Sequence, residues 1–217
     1  MGPVIMGFDT ATATAWFMEA AEVIAAKADW LTELDAAIGD GDHGANLARG
    51  LAASVAALAE KEPATPGKVL VTAGTGLVAK TGGASGPLYG TGFRRAGKSL
   101  DDVDDADPAA VGAALTAMLT GIQELGGAAE GDKTMIDALA PAAAAFTKAA
   151  ADGADLHDAA VAAADAADAG LAATIPLQAR KGRASYLGPR SIGHEDPGAA
   201  STALILWALA DVTAAPA

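Results

Sequence analysis

A chain of 217 residues that is 52% hydrophobic, 4% aromatic and free of cysteine can bury a sizeable core as one domain, 1–217, without disulfides or thiolate-bound metal. Its 27 acidic and 14 basic residues leave a net charge of −13, which argues against nucleic acid and against an anionic membrane surface, since both need a basic face. Residues 1–14 lack a basic start and a continuous apolar stretch, and the longest apolar run, 203–210, is far too short to span a bilayer, so a cytoplasmic location is expected.

From Thr12 onward, Trp16, Ala20, Val23, Ile24 and Lys27 repeat at helical spacing, and Trp30, Leu31, Leu34 and Ile38 continue the pattern. The periodicity breaks within LDAAIGDGDHGANLARG (34–50) and resumes at Leu47, Leu51, Val55 and Leu58. A helix ends there, a tight turn carries acids, and a second helix starts. Asp40 and Asp42, two apart, point the same way, and Asp35 leans over the same spot from about one helical turn back. Bare, three such carboxylates would repel until one took up a proton, so their convergence implies a divalent cation. Oxygen ligands without cysteine favour magnesium, manganese or calcium, and calcium is the weakest of these because the acids do not follow the twelve-residue EF-hand pattern. Magnesium leaves ligand positions for phosphate oxygens, and the helix beginning near His43 offers backbone N–H groups to an anion, which suggests a nucleotide. The competing reading is a solvated Asp/Gly turn whose acids only cap a helix.

Beyond Pro63 and Pro66-Gly67, the stretch KVLVTAGTGLVAK (68–80) is ambiguous. Val69-Leu70-Val71 followed by Gly74-x-Gly76-x-x-Ala79 resembles a strand feeding a dinucleotide-binding turn, as in an NAD-binding Rossmann oxidoreductase. That reading needs a parallel sheet, and no other run of β-branched or aromatic residues supplies its strands. GFRRAGKS (92–99) satisfies the P-loop pattern letter for letter, yet glycine-rich sequence precedes it and acids follow where a strand and a helix are required, so the match is read as chance. The small residues of Gly82-Gly83-Ala84-Ser85-Gly86-Pro87 let backbone approach a ligand ahead of a helix expected from about Pro87. DDVDDAD (101–107) reads as a solvated loop ending in a helix start at Asp107-Pro108.

Val111, Leu115, Met118, Leu119 and Ile122 form the next helical face, ended by Gly126-Gly127. Thr134-x-x-Asp137 opens another helix, with a kink expected at Pro141, and residues 155–175 form an alanine-rich helix suited to close packing. Periodicity is lost between Pro176 and Pro197, where Arg180, Lys181, Arg183 and Arg190 concentrate, and an irregular segment of that length in a compact domain is usually functional. From Ser201 to Val212 the chain is apolar almost all round, the mark of a helix buried on several sides.

Nine or so helical segments and no sheet make an all-α chain of antiparallel helices around a common core, with one polar end. LDAAIGDGDHGANLARG, GGASGPLYGT (82–91), GDKTM (131–135) and ARKGRASYLGPRSIGHEDPGA (179–199) stand in the order and at the separations found in the nucleotide-binding L subunits of the dihydroxyacetone kinases. The chain resembles that family over nearly its whole length. The resemblance implies a barrel of eight antiparallel helices carrying ADP or ATP and two magnesium ions at its loop-rich end. It matches Asp35, Asp40 and Asp42 to the metal-binding acids, and His43, Asn46 and Gly126 to nucleotide contacts. Gly83, Ala84 and Ser85 correspond to a loop over the phosphates, Met135 to a flat contact for adenine, and Arg183, Asp196, Pro197 and Gly198 to a loop folding over the nucleotide.

The same resemblance implies a kinase subunit that is active only with a partner, a K subunit holding dihydroxyacetone, because nothing in this chain looks like a keto-sugar site. In one route ADP stays bound and is rephosphorylated by a phosphohistidine carrier protein of the phosphotransferase system; in the other, ATP binds and ADP leaves. A tetrose or another small keto-sugar stays open as acceptor, as does association of the chain into a homodimer. No general base is assigned, since phosphoryl transfer asks mainly for cations and positioned donors.

Overall fold

The computed structural model describes residues 7–101 and 103–214. Nine α-helices account for most of them: α1 (Thr10–Ala26), α2 (Ala28–Ile38), α3 (His43–Lys61), α4 (Pro66–Lys80), α5 (Ser85–Ser99), α6 (Pro108–Gly126), α7 (Ile136–Ala151), α8 (Leu156–Ala173) and α9 (Pro197–Thr213). A 3-10 segment, Arg183–Ser191, interrupts the connection between α8 and α9. Local chemistry sets the helix starts. Asp9, Asp107, Asp155 and Asp196 each accept the N–H of the residue three ahead, Thr65 does the same for Lys68, and Pro66, Pro108 and Pro197 sit in first turns where no N–H is missed.

Eight of the helices close into a ring. Each of α3 to α8 packs on the next, α8 packs on α9, and α9 returns to α1, which also packs on α3; α2 lies against α3, α9 and the 3-10 segment. Neighbours run antiparallel, as the close approaches of Gly67 to Gly97 and of Gly74 to Gly90 show for α4 and α5. There the backbones all but touch, and a Cβ on Gly97 would lie 2.3 Å from the Gly67 carbonyl oxygen. At α7 and α8 the same closeness comes from alanine, with Ala138, Ala142, Ala159, Ala160, Ala163, Ala164 and Ala167 fully buried. Larger groups fill the remainder of the core, where Phe8, Trp16, Phe17 and Phe93 stack edge to face or tilted and the Trp16 indole N–H donates to the Ile205 carbonyl.

The stretch 68–80 is helical, so the dinucleotide-turn reading falls. In α4, Val69, Leu70, Ala73, Gly74 and Leu77 are buried, a spacing of three and four that marks one helical face. Gly74 and Gly76 serve packing, because a Cβ at either would run into α5 or α3. The acidic stretch 101–107 departs slightly from a plain loop, since Asp105–Ala106 pairs antiparallel with Phe8–Asp9 as a two-residue ladder. α5 starts two residues earlier than Pro87. No helix among the described residues is long and apolar enough to cross a membrane.

Candidate functional site

Because the helices alternate in direction, the connections α2–α3, α4–α5, α6–α7 and α8–α9 gather at one end of the ring. They surround a cleft of about 920 Å³. Asp35, Asp40, Asp42 and His43 line one side, Gly83, Ala84 and Ser85 a second, Gly126 and Met135 a third, and Arg183, Asp196, Pro197 and Gly198 the fourth. A more open hollow of about 580 Å³ at the foot of α1 has Asp9 and Asp104 as its only titratable groups and assembles no such chemistry.

The acidic turn is built around Asp35. This residue sits in the last turn of α2, where the helix dipole opposes a negative charge, and the N-terminal turn of α3 compensates for that. Asp35 Oδ2 accepts the N–H of Asp42 at 2.9 Å and of His43 at 3.2 Å. Two of the N–H groups expected to face an incoming anion are therefore spent on this carboxylate. Gly41, at φ +71, lets the chain turn back so sharply. Oxygen atoms of Asp35, Asp40 and Asp42 all lie within 4.8 Å of one another, with Asp35 buried and the other two exposed. Such a hard, oxygen-only donor set suits magnesium, and it already draws one cationic group, since Arg183 Nε donates to Asp40 Oδ2 at 2.8 Å.

Behind the turn lies a hydrogen-bonded chain of side chains. His43 Nε2 and Ser201 Oγ are 2.9 Å apart, and Ser201 is 2.8 Å from the hydroxyl of Tyr89, which also lies 2.7 Å from Thr202 Oγ1. Burial lowers the His43 imidazole below its ordinary value against the pull of Asp35 and Asp42, and burial raises the Tyr89 phenol to about 12. This network ties the acidic turn to the start of α9. Asn46 does not line the cleft: its Oδ1 accepts from Arg49, and its side chain lies beneath Gly82, supporting the glycine loop from behind.

The remaining wall holds a buried group that spacing did not mark. Lys133, in the loop before α7, has its ammonium bonded to backbone carbonyls, and Asp137 accepts the N–H groups of Gly131 and Thr134. A lysine in a glycine-bearing loop reads as surface, and Tyr89 reads as plain core. Only the chemistry-rich neighbours of Lys133 in GDKTM hinted at more.

Asp196, buried at the N-terminus of α9, has its carboxyl raised by burial from 3.8 to about 7; the Ala199 N–H opposes the rise, Asp137 adds to it and Lys133 counters it. The folded chain thus keeps a proton that the unfolded chain releases, and stability should fall as pH rises from about 4 to 7. Asp196→Asn keeps the cap and should flatten that part of a plot of Tm against pH. An unchanged slope in the mutant would assign the dependence elsewhere.

The P-loop-like residues 92–99 lie inside α5, and Lys98 is exposed about 20 Å along the helix from Ser85 at the cleft. Lys98→Ala should leave nucleotide affinity within about twofold, whereas Arg183→Ala should weaken it roughly tenfold or more, as expected for a lost charge-assisted hydrogen bond. Titration of both variants with ADP and magnesium decides, and a larger loss at Lys98 would reinstate the P-loop.

Matching of the chain to family models identifies a DAK2 domain over residues 37–211, and the chain belongs to that family. Its relatives give the family a particular shape. The chain is 45% identical over 204 residues to the ADP-binding subunit DhaL of PEP-dependent dihydroxyacetone kinase 1 of Listeria innocua, covering 94% of this chain and 97% of that one. It is 37% identical over 199 residues to the corresponding subunit of Escherichia coli, covering 90% and 93%. Among solved structures, the dihydroxyacetone kinase of C. freundii in complex with AMP-PNP and Mg2+ superposes with a TM-score of 0.70 at 28% identity, over 97% of this chain. The chain spans 36% of that longer kinase.

Proposed function

We propose that this chain is the nucleotide-bearing phosphotransferase subunit of a dihydroxyacetone kinase, active only with a separate sugar-binding subunit. The observation that carries the reading is the single cleft on which three clustered carboxylates, a glycine loop and an arginine-bearing strap converge. Its far side is apolar, with Leu88, Ile122, Leu125 and Met135, and suits a flat base, while the acids lie where phosphates would meet a cation. Asp35, Asp40 and Asp42 would hold magnesium, and their three negative charges exceed what one divalent ion neutralises, which supports a pair of ions. Magnesium held by these acids would supply positive charge to stabilise the phosphoryl group in transfer.

The chain's own residues supply the rest. Asp35 keeps the turn folded through the Asp42 and His43 N–H groups, Gly83 to Ser85 admit the phosphates closely, and Arg183 spans the cleft mouth. His43, with Asn46 supporting the loop from behind, and Gly126, Asp196, Pro197 and Gly198 line or back the nucleotide. A subunit rather than a whole kinase is supported by the near-complete coverage of two stand-alone ADP-binding subunits. Both of those belong to PEP-dependent kinases, which supports ADP retained as a cofactor and a phosphohistidine carrier as donor. The docking face is the loop-rich end, where Tyr186, 86% exposed, and Leu125, 53% exposed, stand at the rim. A cytoplasmic location and one domain over 1–217 belong to the same proposal.

The protein as purified should carry ADP near one per chain, read by chromatography of the supernatant after denaturation. Absence of nucleotide, together with no heat of binding for ADP and magnesium, would defeat the proposal.

A further inference from the structure

The connection from α8 to α9, residues 174–196, has one anchor that stands out. Lys133 is only 1% exposed and adopts φ +62, a left-handed conformation that a non-glycine residue holds only when its surroundings impose it. Its three ammonium protons meet three backbone carbonyls: Thr174 at 2.8 Å, Leu177 at 3.2 Å, and His194. The first is the C-cap of α8, where a cation is favoured by the helix dipole, the second lies three residues further on in the strap, and the third lies two residues before the cap of α9. One buried charge therefore clamps both roots of the segment that bears Arg180 and Arg183.

The clamp sits on a rigid base. Asp137 fixes the loop around Lys133 by accepting the N–H groups of Gly131 and Thr134, and the Asp132 carbonyl accepts the N–H of Arg180. Two further bonds close the roots, from Gly193 N–H to Ile175 and from Ala179 N–H to Ser191 Oγ. The next residues on the base, Thr134 and Met135, face the cleft. Between the roots the chain reaches across to α2 and ends in the Arg183–Asp40 pair.

We infer that Lys133 is a positioning residue for nucleotide binding: it tethers the 174–196 strap to the loop under the base, so that Arg183 is held over the phosphate side of the cleft. An ammonium suits the task because its three donors point tetrahedrally and each finds a carbonyl; arginine presents a planar fork instead. The inference rests on the nucleotide reading of the cleft for its effect on binding, but not for its effect on the strap.

The test uses the full chain and two readouts. In Lys133→Met, amide hydrogen exchange over 177–194 in nucleotide-free protein should accelerate by about tenfold or more while α3 to α6 stay protected, the size expected when bonds to a charged group are lost. ADP affinity in the presence of magnesium should fall, and Arg183→Ala should cost much less in the Lys133→Met background than alone, a non-additivity that a merely structural lysine would not produce. Should Lys133→Met not fold, Lys133→Arg is read by the same two measurements. Strap exchange that changes only in step with the barrel core, or additive losses at Lys133 and Arg183, would overturn the inference. Failure of wild-type protein to bind ADP would instead remove the nucleotide reading, and the exchange result would still decide what Lys133 holds.

Discussion

Asp40→Asn should abolish magnesium-dependent nucleotide binding while leaving the helical content intact. The carboxylate lies on the exposed side of the acidic turn, pairs with Arg183, and is one of three carboxylates grouped within 4.8 Å. An amide keeps the shape and removes the charge, so the loss reports on the charge at that position and not on packing. It should exceed the roughly 100-fold that disturbing an outer-shell partner of a metal can cost. The same substitution also frees Arg183 from its pair with Asp40. If that pair mattered more than the cation, Arg183→Ala and Asp40→Asn would weaken binding equally. Calorimetry with ADP and magnesium, alongside circular dichroism, separates the cases, and unchanged affinity in Asp40→Asn would reject the three-acid site.

The purified chain with ATP and dihydroxyacetone should give no dihydroxyacetone phosphate. The groups that line its cleft are accounted for by the nucleotide reading proposed above. Among its three histidines, His43 is engaged with Ser201, His157 bonds the Ala210 carbonyl, and His194 lies exposed outside the cleft. Turnover should appear only when a K-type subunit is added together with ATP or a phosphocarrier, and leaving out each component in turn shows which donor is used. The phosphoryl group must pass nearly in line between the two subunits, so the encounter face should be polar and the complex transient. Turnover by the chain alone would mean that a sugar site exists within it.

Much of this was legible in the sequence because the physics was local. Capping acids, the prolines behind them and three-to-four spacing mark helix starts and faces without reference to the remainder of the chain, and the convergence of the carboxylates of Asp35, Asp40 and Asp42 follows from the acid-glycine turn itself. α4 was hard to read because its glycines have two explanations, a phosphate turn or a helix contact, and only the neighbouring backbones of α3 and α5 distinguish them. The deployment of the N–H groups of Asp42 and His43 was out of reach for a similar reason. They face a phosphate or a carboxylate equally well, and the geometry of α2 decides for Asp35. Lys133 and Tyr89 act through carbonyls and hydroxyls more than 40 residues away in the chain, and no periodicity carries such pairings.

The closure of the ring by α9 against α1 bears on how the molecule comes into being. Most helices pack on their sequence neighbours, contacts that can form as the chain emerges and that favour rapid folding. The seam between first and last helix cannot. Until α9 arrives, Trp16 lacks its Ile205 acceptor, Tyr89 lacks Ser201 and Thr202, and the cleft lacks the wall made by Asp196 to Gly198. Nucleotide can then be gripped only once α9 has closed on α1, so that ligand capture doubles as a check on closure of the ring.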